Sequence, residues 1–510
     1  MSLKRTIYAA AFALSACVTT GDEADLDTGT ADEAVTAAPA PAPTWQPLVN
    51  QAPFGAGVAL LLTDGTLMVQ DVGTPNWWRL TPDASGSYIN GTWSQLASMP
   101  GGYAPLYFAS AVLPDGRVII EGGEYLDFNP AWSNQGAIYD PVTNTWTTVT
   151  PPAGWQTIGD AQSVVLANGQ FMLANCCSTE AALLDPKTLS WTPTGLTGKA
   201  DSNNEEGWTL LADGTVLTVD ASNTANPTES ELYIPARGKK PAKWVSAGST
   251  IVPLADLDAD GGGSHEIGPA VLRPDGTVIV FGATGHNAIY DTHTKAWASA
   301  PDFPIIDGEG QLDVADGPAT LLPNGHVLVA TSPEIFNSST HFFEVDGTTL
   351  TQVEGPPAAP FNSSYHQNLL LLPSGEVFAT DFSADIEIYT STPPAGCQHD
   401  VAPEIEWVAT SLRAGSSYTL HGERLNGVSQ AVAYGDDAQA ATNYPLVRIT
   451  NRKTRHVVFA RTHDHTSMSI DRDTESSTKF DVPATAEKGP SELVVIANGT
   501  PSSPVTVNIR

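Results

Sequence analysis

Tyr107 and His366 each stand nine residues before a glycine that closes a short turn, Gly116 and Gly375. The same offset before the glycines at 65, 169, 214, 276 and 325 gives Ala56, Asp160, Glu205, Ile267 and Asp316. Glu206, His265, Glu266 and Tyr365 are direct neighbours of these positions. Side chains one strand period apart share a face, so five acids, two tyrosines and two histidines are expected to converge on one rim. Like charges crowded into a narrow opening must be protonated, be wetted or hold a cation. Carboxylate oxygens favour calcium, magnesium or manganese, and the two imidazoles also admit a transition metal. The same acids suit general acid and base chemistry on a glycan, as in a metal-dependent hydrolase or lyase. The plainer reading is that they bond exposed backbone ends inside a channel.

Two further motifs bear on chemistry. Asp256, Asp258, Asp260 and Gly261 open a D-x-D-x-D-G run, the start of a calcium loop, although Ile267 stands where the closing glutamate belongs and Glu266 comes one place early. Cys176 and Cys177 are adjacent, and in an oxidising compartment they pair with each other or one of them pairs with Cys397. Their loop is expected on the same rim, where a vicinal disulfide makes a stiff apolar patch for a sugar or an aromatic ring. Trp77, Trp78, Tyr125, Phe128, Trp132 and His286 fall in neighbouring loops and supply surfaces of the kind carbohydrates need.

The elements that must position these residues are hairpins. Seven times an apolar run meets Asp-Gly, Asn-Gly or Ser-Gly and a second apolar run follows, as in LLLTDGTLMV and AVLRPDGTVIV. The spacing of about 50 residues is that of kelch-type blades, each a four-stranded sheet. YDPVTNTW, LDPKTLSW and YDTHTKAW complete three of the repeats, with an aromatic placed to wedge between blades. The seventh repeat lacks its outer strand, and TWQPL at Trp45 is expected to supply it, closing the ring and removing free edges. After a break near GCQHD the period disappears, and short strands from 403 to 510 read as an immunoglobulin-like sandwich. The expected fold is all-β: a seven-bladed kelch-type propeller over 44–395, then a β-sandwich over 403–510.

The amino-terminal end gives the expected location. Lys4 and Arg5, the apolar stretch Ile7 to Leu14, and Leu14-Ser15-Ala16-Cys17 form an export signal whose end resembles a bacterial lipoprotein cleavage box. Residues 1–17 are therefore read as signal, Cys17 as the lipidated residue, and 18–43 as an acidic, Ala/Thr/Pro-rich tether. The protein is expected in the bacterial cell envelope or outside the cell, touching membrane through its lipid alone. A net charge of −33 opposes binding to nucleic acid or to an anionic lipid surface. No phosphate loop, dinucleotide fingerprint, G-x-S-x-G elbow or H-E-x-x-H pair occurs, so no nucleotide cofactor is expected.

A signal, seven kelch blades and a terminal early-set domain resemble galactose oxidase and glyoxal oxidase, the copper radical oxidases. Tyr365-His366 before NLLLLP, and Tyr107 before FASAVLPDGRV, match copper ligands of that family. The resemblance implies copper on Tyr107, Tyr365 and His366, with Tyr107 as radical and Tyr365 as base, acting on a small alcohol or aldehyde. It departs at Ala56, where the family carries the cysteine cross-linked to the radical tyrosine, and no cysteine lies between Val18 and Asn175. The last histidine ligand has two candidate registers: His463 if ARTHDHTSM is the hairpin that reaches the channel, or Gln439 if QAVAYGDDAQAATNYPL is. The first is favoured slightly. Three functions stay open: a metal-stabilised binding protein for carbohydrate or another cell-surface ligand, a copper oxidase, and a metal-dependent hydrolase or lyase.

Overall fold

The computed structural model describes residues 43–257, 263–391, 400–435 and 440–510. Cys17, Asp258, Asp260, Cys397 and Gln439 lie outside them. The described chain is built of strands, with three short 3-10 turns. No helix is long and apolar enough to cross a membrane.

Six antiparallel sheets of four strands hold six of the turn glycines, and the seventh, Gly325, lies in a larger sheet of seven strands. Their inner strands are Ala56–Leu61, Ala109–Val112, Ser163–Val165, Thr209–Leu210, Ala270–Leu272, Pro318–Leu321 and Asn368–Leu371. Each glycine donates its N–H to the carbonyl three residues earlier, from Gly65 to Leu62 (2.9 Å) through Gly375 to Leu372 (2.9 Å). Its φ is positive in every case, from 74° at Gly65 to 88° at Gly325. The Asp, Asn or Ser before it keeps negative φ, so each turn is a type I turn closed by a left-handed glycine instead of a two-residue primed turn.

Ring closure occurs as the sequence indicates. Thr44–Pro47 pairs antiparallel with Glu387–Thr390, Trp45 facing Tyr389, and completes blade seven. The Trp45 ring lies 4.9 Å from both Phe342 and Tyr389, tying blade seven to blade six. The other outer tryptophans repeat the device: Trp146 packs on Tyr139 at 5.1 Å and donates its indole N–H to the Ala97 carbonyl of blade one. Trp191 donates likewise to Thr150 of blade two. A tryptophan that satisfies its one donor in the neighbouring blade adds direction to what would otherwise be apolar packing alone.

The carboxyl-terminal unit is a β-sandwich. One sheet holds Glu404–Val408, Ser417–Glu423 and Glu475–Asp481; the other holds Leu446–Asn451, Gly489–Ala497 and Val505–Ile509. Val457–His463 joins both, pairing first with Leu446–Asn451 and then with Glu475–Asp481. Leu412, Leu420, Phe480, Ile449, Leu493 and Val507 fill the space between them. The sandwich docks on the turn end of the propeller, where Thr462, His465 and Met468 donate backbone N–H to Thr63, Pro114 and Ala167. One segment goes further: Val432–Tyr434 pairs with Pro318–Leu321 and adds a strand to the inner edge of blade six.

Candidate metal and ligand site at the channel mouth

The inner strands run toward their turn glycines, so positions nine residues upstream lie at the opposite end from the sandwich. Tyr107, Asp160, Glu205, Asp316 and His366 all gather there, as the common offset requires. Carboxylate oxygens of Glu205, Glu266 and Asp316 lie within 4.8 Å of one another. Tyr107 (φ 51°), Glu205 (φ 58°) and Asp316 (φ 47°) share the left-handed backbone region, as does His265 (φ 66°). For residues with a Cβ this costs roughly 1–2 kcal/mol each and persists only where the surroundings fix it, which concentrates such residues at functional sites.

The rim has two unlike halves. Blades three to six contribute Asp160, Glu205, Glu266 and Asp316. Blades six, seven and two contribute a run of rings: Phe336 to Tyr365 at 5.4 Å, Tyr365 to His366 at 4.1 Å, His366 to Phe382 at 5.1 Å, Phe382 to Tyr107 at 6.4 Å and Tyr107 to Tyr125 at 6.0 Å. Glu124, hydrogen-bonded to Tyr125, joins one half to the other.

Burial raises the affinity of these acids for protons, and mutual repulsion adds to it at Glu124, Asp160 and Glu266. Burial, then the charge of Asp316, raises Glu124 to about 7. Asp160 is raised well above its ordinary value by burial and then by Glu124 and Asp316. Glu266 is likewise raised by burial and by Asp316, Glu205 and Asp160, with no lysine or arginine among the main causes. Burial lifts Asp316 to about 6, less than its neighbours because it accepts a hydrogen bond from Glu266. The second oxygen of Glu266, Oε2, is buried and has no hydrogen-bond partner, although only 9% of the residue is exposed. A carboxyl oxygen left in this state has a lone pair available to a cation. Burial lowers His366 despite the nearby charge of Asp381, which keeps the imidazole neutral.

Cys176 and Cys177 form a vicinal disulfide. A Cβ placed on Gly159, next to Asp160, would lie 2.5 Å from Cys176 Sγ and 3.2 Å from the Trp132 ring, which puts the disulfide at the rim beside Trp132. Trp132 and Phe128 are exposed, at 48% and 57%. Trp77 is instead fully buried against Phe108 and Trp146, and Trp78 stacks on Phe54 at 5.1 Å; both are packing residues. His286 forms an exposed pair with Asp302 (3.0 Å).

Three expectations need correction. Glu206 is not in the mouth: it lies in the loop before Thr209–Leu210 and turns inward, where Lys199 Nζ binds it at 2.6 Å. His265 faces Ser222 Oγ at 3.4 Å, at the edge of the acidic half. His463 lies at the far end of the propeller, between Asp464 and Asp481 at 3.3 Å each, because its strand belongs to the sandwich. The segment that enters the channel is the other candidate hairpin. Gln430 accepts from the Leu210 N–H at 2.7 Å, Tyr434 donates its hydroxyl to the Tyr365 carbonyl at 2.6 Å, and Gly435 sits against Asp316. A void of about 10 Å³, room for about one water, lies between this hairpin and blades four and five. In the calcium-like loop, Asp256 accepts from the Ser264 N–H and Oγ at 2.8 and 2.9 Å.

No family model matches the chain. The Kelch-like protein terF of Aspergillus terreus is 28% identical over 129 residues, 24% of this chain and 26% of that protein, so the match spans about a quarter of the relative's length. Among solved structures, a fungal alcohol oxidase of the AA5 family in complex with copper superposes with a TM-score of 0.50 at 14% identity, covering 92% of this chain and all of that one. That likeness, with the kelch-like relative, shows the fold alone, a kelch-type propeller. Virginiamycin B lyase from Staphylococcus aureus covers 68% of the kelch propeller chain at 9% identity and a TM-score of 0.46, with 99% of its own length aligned.

Copper of the oxidase type fits this mouth poorly. Tyr107, Tyr365 and His366 are brought together, but His366 is the single imidazole in that ring run among the described residues. His463 is at the other end of the propeller, and the fully buried Ala56 offers no sulfur. The hard oxygen donors across the opening fit calcium or manganese better.

Glu124, Phe336 and Phe382 were not singled out by the inner-strand offset. Glu124 was accessible to the same logic applied to the returning strand: it stands eight residues after its turn glycine, as do Cys177 and Ser222.

Proposed function

We propose that this kelch propeller is an exported, lipid-anchored binding protein that holds a hard divalent cation, calcium or manganese, on Glu205, Glu266 and Asp316. It presents that cation, beside the aromatic half of the rim, to a carbohydrate or another polyhydroxylated cell-surface ligand. The observation that carries the reading is the close triad of carboxyls with a buried, unpartnered Glu266 oxygen among them. A polyol offers hydroxyls to the cation and C–H faces to Tyr107, Tyr125 and Trp132. Thr44 begins at the level of the blade-seven turn, where its partner Thr390 bonds Glu376. The tether from Cys17 would thus join the end opposite the mouth and leave the mouth facing outward.

A second reading rests on the Glu266–Asp316 pair. One carboxyl donating to another is the arrangement of a general acid beside a base, which suits a glycan hydrolase or lyase. Binding to a glycan array with calcium or manganese present separates these possibilities. Retention that a chelator abolishes supports the cation-dependent lectin-like role, and shortened glycans indicate the hydrolase or lyase. Retention that is indifferent to chelator refutes the role of the cation. Hydrogen peroxide released from alcohols after copper loading would establish the oxidase instead.

A further inference from the structure

Blade four contains a second acidic group that does not open to the mouth. Its centre is Lys199, whose side chain is fully buried and whose Nζ lies 2.8 Å from Asp201, 2.6 Å from Glu206 and 2.7 Å from Glu231. Burial opposes the ammonium charge, but Glu206, Asp201 and Glu231 outweigh it and hold Lys199 above the ordinary lysine range. The lysine therefore occupies the place that a metal ion would need among these carboxylates.

The group is tied to the mouth at two points. Glu206, bound by Lys199 and by Thr218 Oγ1 at 3.1 Å, is the next residue after Glu205, whose left-handed backbone aims its side chain toward the channel. Asp201 accepts from the Ser222 N–H at 3.1 Å, and Ser222 Oγ meets His265, the neighbour of Glu266, at 3.4 Å. His265 and Glu266 are held in turn by Asp256, through His265 N–H to the Asp256 carbonyl and Asp256 N–H to the Glu266 carbonyl. A backbone outside its preferred region relaxes unless its neighbours fix it, and a fully buried ion cluster one residue away is a strong constraint.

We propose that Lys199 is a positioning residue: an internal ammonium that, through Glu206 and Asp201, fixes the backbone from which Glu205 and Glu266 project into the mouth. The consequence for cation affinity rests on the function proposed above; the consequence for the placement of Glu205 does not.

The test uses the full chain with Lys199→Met, Glu206→Gln, Thr218→Val and Thr218→Ser. Carbodiimide labelling of the metal-free protein, read by mass spectrometry, reports the exposure of Glu205 against the surface reference Asp291. Electron paramagnetic resonance titration with Mn²⁺ reports affinity. Lys199→Met and Glu206→Gln are expected to raise Glu205 labelling several-fold and to weaken Mn²⁺ binding by 10–100-fold, the range seen when a ligand's supporting partner is lost. Thr218→Val shows a smaller effect of the same sign, and Thr218→Ser, which retains the hydroxyl, restores both readouts. If Lys199→Met does not fold, Glu206→Gln and the threonine pair decide. Wild-type Glu205 labelling in folded Glu206→Gln and Thr218→Val overturns the proposal. A wild-type protein that takes up no Mn²⁺ refutes the cation reading while the labelling still decides the positioning.

Discussion

Asp316→Asn separates electrostatic strain from ligand binding. Asp316 is raised from 3.8 to about 6 by burial among other acids. At about 1.4 kcal/mol for each decade of acidity, keeping it ionised at neutral pH costs up to ~3 kcal/mol of stability in the metal-free protein. Asparagine removes that charge and still offers Oδ1 to accept the bond from Glu266, so the metal-free variant is expected to be more stable by about 1–3 kcal/mol. At roughly 2–4 °C per kcal/mol for domains of 150–250 residues, and less for a chain of this length, the melting temperature should rise by about 1–5 °C at pH 7.5. The same change removes one of three cation ligands, so millimolar calcium or manganese, which raises the wild-type melting temperature by mass action, should leave the variant almost unmoved. Differential scanning calorimetry in chelator and in excess cation measures both effects. A variant destabilised without metal, or stabilised by cation as much as wild type, refutes the reasoning.

The pH dependence has a fixed sign. Burial raises Glu124, Asp220 and Asp313 to about 7 and Glu387 to about 8, so between their unfolded values near 4 and these folded values the native state binds more protons. Metal-free stability should fall from pH 5 to pH 8, read as a declining melting temperature. His465, lowered by burial to about 3, acts in the opposite sense below 6.5 but is one group against several. Gly435→Ala would bring a Cβ within 2.5 Å of Asp316 Oδ1 and should weaken Mn²⁺ binding in titration calorimetry at least tenfold, leaving the far-ultraviolet circular dichroism unchanged. Cys17→Ser should abolish incorporation of radiolabelled palmitate and release the protein from membranes; incorporation by the variant would disprove the anchor.

The turn glycines carried most of the fold because each needs a left-handed φ at the same place in its blade, a requirement that only a few residue types meet. The offset from those glycines also located the mouth, since it leads back along each inner strand to the loop just before it. Asp160, Glu205, Asp316, Tyr107 and His366 all stand in those loops, whereas Glu206, in the loop before Thr209, turns inward toward Lys199. Nothing in local sequence marks Lys199 as buried, because its partner Glu231 comes from the strand Glu229–Ile234 and Glu206 from the loop before Thr209. The entering hairpin was ambiguous for a related reason: two segments had histidine or glutamine in reach, and only the pairing of Val432–Tyr434 with blade six decides between them. Glu124 and Phe382 sit in returning loops, where local backbone geometry replaces periodicity.

The most direct test of the cation site is an anomalous difference map from crystals grown with manganese. One peak per chain, at about 2.0–2.6 Å from carboxylate oxygens of Glu205, Glu266 and Asp316, is the expected result. A peak bound by Tyr107, Tyr365 and His366 instead, or no peak in the mouth at millimolar manganese, would contradict it.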